Sequence, residues 1–146
     1  MTSPKTARYY KKMLFDGFFR VIFSAKPFAK AAGDRGEEAA VRFLKKRGMK
    51  IAARNFRSGR YEADIVAFDG DCAVFVEVKT RSDSALVDGY YAAVSKTKRR
   101  GIRICANRYL SRLHPRPPSW RYDVVDVRIG GGMKISQIRH FENVPL

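Results

Sequence analysis

The six residues Val74-Phe75-Val76-Glu77-Val78-Lys79 are apolar enough for a buried β-strand, yet they include a carboxylate and an ammonium. Because side chains alternate between the two faces of a strand, Glu77 and Lys79 are predicted to point one way and Val76 and Val78 the other. Charged groups are costly in a protein core unless they are paired or bind a metal. The stretch therefore predicts a central strand with a chemical role.

A second acid lies on a neighbouring strand. The run Glu62–Phe68 is typical of a strand, and the turn Asp69-Gly70-Asp71 joins it to the first stretch in a predicted β-hairpin. The hairpin places Asp64 beside Glu77, although the sequence does not fix the register that decides whether they share a face. Two acids and a lysine on adjacent strands indicate a metal site, in which Asp64 and Glu77 would bind Mg²⁺ or Mn²⁺ through hard oxygen ligands.

The charge balance indicates a polyanionic partner. The chain has 146 residues, a one-domain length, and its 45% apolar content excludes general disorder. Its 30 Lys and Arg against 14 Asp and Glu give a net charge of +16. That value is well above the roughly 2 to 8 that is usual for a small domain. Nucleic acid is the first partner expected, and anionic lipid the second.

The cysteines and histidines give no sign of a zinc site. Cys72 and Cys105 lie in apolar surroundings without metal-ligand spacing, and His114 and His140 are far apart in the sequence. Two free thiols predict a reducing compartment, and a cytoplasmic location is expected.

Residues 1–32 are predicted to be a basic, aromatic N-terminal extension of a main domain formed by residues 33–146. The extension has seven Lys or Arg and a single acid, Asp16. Its longest apolar run is interrupted by Arg20 and is too short to span a bilayer, so no stable membrane insertion is expected. Two interpretations stay open: a basic amphipathic helix on nucleic acid or a membrane surface, and a segment that packs on the domain.

The first firm helix is predicted over Asp34–Arg47, and Gly48 is its C-terminal stop. Helical periodicity places Glu37 on the inward stripe and Glu38 towards solvent. Asp34-x-x-Glu37 also matches a capping box, which would occupy Glu37 in backbone capping. The sequence leaves the two interpretations of Glu37 open.

The remaining segments have short β-strand and loop patterns. Strands are predicted at Met49–Asn55, Tyr122–Ile129 and Lys134–Phe141, a basic turn at Arg57–Arg60, and a polar loop at Thr80–Tyr91. Because that loop follows Glu77 and Lys79 directly, it is expected to border the site.

A second helix, predicted from about Ser95 to Leu110, is strongly basic. No acid occurs between Val94 and Arg112, and Lys98 lies on the inward stripe, from which it is expected to reach the site. A solvated surface would explain such a face, but a surface for phosphate contacts explains it better. The residues expected to bind nucleic acid are Lys96, Lys98, Arg99, Arg100 and Arg103, together with Arg81 beside the central strand.

These residues suit metal-dependent cleavage of a phosphodiester. The metal would polarise the phosphate and lower the pKa of a bound water. Lys79 would orient or help to deprotonate that water, or neutralise charge that builds on the phosphate. A Glu-x-Lys pair alone is usually a surface ion pair. The apolar flanks, Asp64 and the basic helix are what favour the catalytic interpretation.

The chain resembles the YraN family of bacterial proteins over roughly residues 33–141. The matching stretches are Gly36-Glu37, Ala39 to Leu44, Arg54-Asn55, Gly59 to Asp64, Val76-Glu77-Val78-Lys79-Thr80-Arg81 and Val94 to Arg100. That family is placed in the PD-(D/E)xK nuclease superfamily, near archaeal Holliday-junction resolvases. Ala63 stands where the family commonly has an aliphatic residue, and residues 1–32 lie outside the pattern.

The resemblance implies an α/β fold of restriction-endonuclease type, with a mixed β-sheet flanked by helices. It also implies Mg²⁺-dependent nuclease chemistry at Asp64, Glu77 and Lys79. Glu37 would match the helical glutamate of the superfamily, and Lys98 a basic position in the second helix.

The sequence leaves two functions open. The first is a Mg²⁺-dependent endonuclease acting on DNA, for which branched or damaged structures are the expected substrates and a two-fold homodimer would suit a junction. The second is a nucleic-acid-binding module without catalysis, in which the acids are a structural remnant of the site.

Overall fold

The computed structural model describes residues 28–85 and 95–146, and residues 33–146 form one compact unit. Helix α1 includes residues 28–46. The later elements are β1 (Lys50–Ser58), β2 (Tyr61–Asp69), β3 (Cys72–Ser82), α2 (Lys96–Leu110), β4 (Ser119–Ile129), a 3₁₀ turn (Gly131–Met133) and β5 (Ile135–Phe141). In these two ranges no helix is long and apolar enough to cross a bilayer. Most of the predicted extension, residues 1–27, lies outside them.

The five strands form one mixed sheet in the order β1-β2-β3-β4-β5. The β1–β2, β2–β3 and β4–β5 pairs are antiparallel, whereas β3 and β4 are parallel. Helix α2 supplies the crossover that a parallel pair requires. The predicted fold class, a mixed sheet flanked by helices, is confirmed.

The predicted hairpin is present between β2 and β3. Asp69 pairs with Cys72, so Gly70 and Asp71 alone form the loop. Gly70 has φ of +60°, a left-handed conformation that glycine adopts without steric cost. The register continues from this loop to the Ile65–Val76 pair, which places Asp64 beside Glu77 at the far end of the hairpin.

Several strands are longer than predicted because pairing continues into polar residues. Strand β1 extends to Ser58, which pairs with Tyr61, so the predicted basic turn shortens to Gly59 and Arg60. Strand β3 extends to Ser82, because Thr80, Arg81 and Ser82 stay in parallel register with β4. These three residues belong to the sheet and not to the predicted loop. Residues 86–91 of that loop lie outside the described ranges.

Helix α2 covers the sheet face that includes Phe75. Ile102, Cys105, Ala106 and Leu110 of α2 are buried in one cluster with Phe75 and with Tyr122 and Val124 of β4. Tyr109 meets the rings of Phe56 and Phe75 edge to face, with centroids 5.1 and 5.9 Å apart. Gly101, a weak point in the helical pattern, is buried where a Cβ would lie 2.7 Å from the Tyr61 ring. Its missing side chain therefore admits that ring.

Helix α1 covers the opposite face. Phe43 meets the ring of His140, which in turn contacts Asp123, and Asp123 pairs with Val76. Residues 28–33 are already helical, so Asp34 lies inside the helix. The capping-box interpretation is therefore wrong, because a cap residue must stand at the helix start with non-helical backbone angles.

Gly36 sets how closely α1 approaches β3. A Cβ at this position would overlap Oγ1 of Thr80 and would lie 2.9 Å from the Thr80 Cβ. Glycine in a helix interior costs about 1 kcal/mol relative to alanine, so its presence here indicates a packing need. The contact lies beside Glu37, the residue that α1 directs towards the site.

We expect Gly36→Ala to lower the free energy of unfolding by roughly 1–3 kcal/mol, the usual cost of overpacking, because helix and strand must separate. Gly33→Ala is the matched control. Gly33 lies in the same helix, and a Cβ added there would meet nothing within 4 Å, so alanine should be neutral or stabilise by up to about 1 kcal/mol. Urea unfolding of both variants measures the difference. Equal effects of the two substitutions would contradict the packing role.

Candidate active site

Glu77 is the centre of the site. Its side chain is only 3% exposed, and both of its oxygens meet lysines. Nζ of Lys79 lies 2.7 Å from Oε1, and Nζ of Lys98 lies 2.5 Å from Oε2. Lys79 follows by strand alternation, as predicted, while Lys98 reaches in from the first turn of α2. The buried carboxylate is thus neutralised from the sheet and from the helix.

Asp64 lies opposite Glu77 in the continued β2–β3 register. Its Oδ2 accepts a hydrogen bond from the backbone N–H of Val78 at 2.7 Å. Burial and the nearby Glu77 carboxylate raise the pKa of Asp64 from 3.8 to about 7, with a smaller contribution from Glu37. The Val78 N–H and Lys98 oppose this rise without cancelling it. Asp64 is therefore an acid without sufficient counter-charge.

The backbone of β1 is irregular at Asn55, the residue opposite Asp64. Asn55 lies between the Arg54–Ile65 and Phe56–Ala63 pairs, and therefore opposite Asp64. Its φ is +50°, in the left-handed region that asparagine tolerates better than most residues. The backbone irregularity coincides with the point at which β2 directs its acid into the site.

Glu37 joins these acids from α1. Its carboxylate acts electrostatically on Asp64, and one oxygen lies 3.9 Å from Nη2 of Arg54. The Glu37 side chain is 26% exposed and the Glu38 side chain 46% exposed, so Glu37 is the more buried of the two. The structure therefore brings together Glu37, Asp64, Glu77, Lys79 and Lys98.

Tyr122 is a neighbour of the site that the sequence pattern did not reveal. It is 1% exposed, and its ring lies on the face of the sheet that includes Glu77. Burial, with Glu77 and Asp64 nearby, raises the pKa of its hydroxyl. Among the described residues the hydroxyl has no hydrogen-bond partner. Only the contact between β3 and β4 places it here, so local periodicity holds no signal for it.

The donor set fits a hard divalent cation. Asp64 and Glu77 offer carboxylate oxygens, and an unpartnered Tyr122 hydroxyl beside them could bind a water of the ion. No group of three or more His, Cys, Asp or Glu side chains with metal-binding geometry occurs in residues 28–85 and 95–146. Mg²⁺ commonly takes one or two carboxylates and fills its shell with water and substrate phosphate. Asp64 and Glu77 are the residues that would hold it.

Basic side chains form a surface at the start of α2. Lys96, Arg100 and Arg103 are exposed, and their spacing places them in a row on one face of the helix. The first turn of α2 contains no acid that would offset these cations. A groove of about 290 Å³ beside this row is lined by Arg60, Tyr61, Glu62, Ser95, Thr97, Lys98 and Gly101.

Arg81 is placed differently from the other predicted nucleic-acid contacts. Its Nε lies 3.5 Å from Asp126, and its side chain is only 16% exposed. Arg128 and Arg139 also contact Asp126, at 3.4 and 2.9 Å. The structure thus places Arg81 among arginines around a buried acid.

The buried acid Asp123 contrasts with Asp64. Burial alone would raise its pKa, but contacts from His140, the Asn143 N–H and Arg121 hold the pKa below the ordinary value. His140 Nε2 lies 2.9 Å and Arg121 Nε 3.1 Å from its carboxylate. Asp123 is thus a compensated structural acid, which Asp64 is not.

Comparison with known proteins yields one family. The model of the uncharacterised protein family UPF0102 matches residues 36–127, which is more than half of the chain. A UPF0102 protein of Caldicellulosiruptor saccharolyticus is 40% identical over 112 residues, which cover 76% of this chain and 93% of the relative. A UPF0102 protein of Rhodococcus opacus is 43% identical over 111 residues, covering 75% and 92%. Asp64, Glu77, Lys79 and Lys98 all lie within the matched residues.

We expect Asp64→Asn to stabilise the metal-free protein at pH 8. The folded state holds the Asp64 proton up to a higher pH than the unfolded state does, so ionisation destabilises the fold as the pH rises from about 4 to 7. Asparagine removes that penalty and can still accept the Val78 N–H. The expected gain at pH 8 is on the order of 1–3 kcal/mol, and it should largely vanish at pH 4.5.

Thermal or urea unfolding in EDTA at both pH values measures this gain. Glu77→Gln is the matched control, because it loses two ion pairs and should destabilise the protein at pH 8. An Asp64→Asn variant that is no more stable than the parent protein at pH 8 would show that Asp64 is compensated.

Proposed function

This chain belongs to the uncharacterised protein family UPF0102, the YraN family, and we propose that it is a metal-dependent endonuclease that hydrolyses DNA phosphodiester bonds. The observation that carries the proposal is the convergence of Asp64, Glu77 and Lys79 next to a basic surface. An under-compensated acid beside a second acid favours a divalent cation there. The adjacent cations favour a phosphate.

Each residue has a distinct role in the proposed reaction. Asp64 and Glu77 hold Mg²⁺ or Mn²⁺, which supplies Lewis-acid activation of a water and of the phosphate when bound. Lys79, whose ammonium is 2.7 Å from Glu77 and 36% exposed, orients the attacking water or stabilises charge on the phosphate oxygens. Glu37 adds negative charge next to Asp64 and so strengthens cation binding. Tyr122 offers a buried hydroxyl to a water in the site.

The basic surface aligns the substrate. Lys96 and Arg99 flank Lys98 at the start of α2, and Arg100 and Arg103 follow further along the helix. A strand bound along these residues would pass the site at the start of the helix. Their cationic side chains contact backbone phosphates and read no sequence. Specificity for a branched or damaged structure would then come from the shape of the DNA.

We also propose the compartment and the oligomeric state in which the protein acts. Both cysteines are free thiols, which is typical of a reducing compartment, and we place the protein in the cytoplasm. A two-fold homodimer would present two sites to a junction. Retained DNA binding without cleavage is the alternative function.

We expect Mg²⁺-dependent cleavage of DNA that is abolished by EDTA. Linear, nicked and four-way substrates should be tested with Mg²⁺ and with Mn²⁺. Asp64→Asn and Glu77→Gln should each lower the rate by at least about 100-fold, as loss of a metal ligand or a transition-state contact does. Glu37→Gln should lower it by roughly tenfold.

Glu38→Gln is the control for Glu37, because Glu38 is its outward-facing neighbour on α1. It should retain most of the activity. Cleavage that survives Asp64→Asn and Glu77→Gln would point to a contaminating nuclease. Absence of cleavage on every substrate, with DNA binding retained, would establish the non-catalytic alternative.

DNA binding in EDTA should depend steeply on salt through the α2 surface. Replacing Lys96, Arg100 and Arg103 together by alanine should reduce the slope of log K against log [salt] by about 0.9 for each lost phosphate contact. The matched control replaces Lys45 and Lys46, two exposed lysines of α1, and should change the slope little. Fluorescence anisotropy over a salt range of about 50 to 300 mM measures it. Binding that ignores salt would contradict the proposed surface.

A further inference from the structure

Lys98 lies at the position where Asp64 and Glu77 would bind a metal ion. Its ammonium is 2.5 Å from Oε2 of Glu77 and acts electrostatically on Asp64 as well. With Lys79 on Oε1, both oxygens of Glu77 are in contact with ammonium groups. A cation that binds Asp64 and Glu77 therefore has to compete with a cation that the protein itself provides.

The two lysines are not equivalent in this competition. Lys79 belongs to the same strand as Glu77, two positions along. Lys98 comes from the first turn of α2, and its backbone N–H is held separately by the side chain of Ser95, the helix cap. Its side chain can leave Glu77 without disturbing the helix, because four flexible carbons join the ammonium to the backbone.

Lys98 also borders a second environment. Its side chain is 29% exposed and lines the groove that includes Arg60, Tyr61, Ser95 and Thr97. That groove lies beside the row of Lys96 and Arg100. An ammonium released from Glu77 could therefore move into this groove and contact a backbone phosphate of a bound strand.

We propose that Lys98 is the resting counter-ion of the metal site: it holds Glu77 in the absence of a divalent cation and moves to the substrate phosphate when the cation binds. This inference rests on the metal site proposed above. Lys98 then acts as a positioning residue whose ammonium group has two alternative partners, Glu77 and the phosphate. Cation binding and phosphate binding become linked, because each favours the same position of one side chain.

The test is the affinity for Mn²⁺ in the absence of DNA, measured by isothermal titration calorimetry and by the electron paramagnetic resonance signal of free Mn²⁺. Lys98→Met and Lys98→Gln remove the competing ammonium and should each bind Mn²⁺ about tenfold more tightly than the parent chain, since a cation close to a metal ligand opposes the ion. Both variants should also cleave DNA more slowly. A lysine that does not compete with the cation would leave the Mn²⁺ affinity unchanged when it is lost.

Matched variants separate the outcomes. Lys46→Met removes an exposed lysine from α1 and should leave the Mn²⁺ affinity within about twofold, since screening weakens distant surface charges. Glu77→Gln should abolish the binding. Unchanged or weaker Mn²⁺ binding in both Lys98 variants, with binding by the parent chain intact, would overturn the role of Lys98 and leave the proposed nuclease standing. Absence of Mn²⁺ binding by the parent chain would overturn both.

Discussion

The buried carboxylate of Glu77 is the constraint on which the arrangement of the domain depends. An acid that is 3% exposed needs counter-charge, and the two lysines that supply it belong to different elements. Lys79 comes with the strand, whereas Lys98 reaches Glu77 from the start of α2. The same helix then buries its apolar side against Phe75 and Tyr122. This apolar packing places the basic surface of α2 next to the acids, and the flexible Lys98 side chain reaches from one to the other.

The acids of the sheet fall into two kinds, and the difference supports a function for one of them. Asp123 and Asp126 are fully buried beside arginines, and Asp123 also contacts a histidine and one backbone N–H. Asp64 has one N–H donor and two acidic neighbours, and its pKa is raised to about 7. A purely structural site would gain stability from a neutral residue there. An acid kept at a cost to folding is typical of a binding or catalytic centre.

Local patterns predicted much of this centre, and the gaps have a common physical cause. Strand alternation placed Glu77 with Lys79, helical spacing placed Lys98 inward, and the Gly70 turn placed Asp64 beside Glu77. Each of these follows from neighbours in the sequence. The extension of β3 to Ser82, the pairing of Arg81 with Asp126 and the position of Tyr122 all depend on the parallel β3–β4 pair. That pairing joins residues far apart in the chain, so the periodicity of neighbouring residues cannot predict it. The capping ambiguity at Glu37 likewise ended only when residues 28–33 proved helical.

The position of Lys98 links the two properties from which the function was inferred. A basic surface alone suits any nucleic-acid-binding protein, and paired acids alone suit many metal sites. Lys98 belongs to both, since it touches Glu77 and lines the groove next to Lys96 and Arg100. If its ammonium binds alternately to Glu77 and to a phosphate in the groove, the free energy of cation binding must depend on whether a phosphate is present. The free energy of phosphate binding must equally depend on whether the cation is present. A metal site built in this way would be weak until DNA arrived, because the chain's own cation would occupy it until a substrate phosphate drew that cation away.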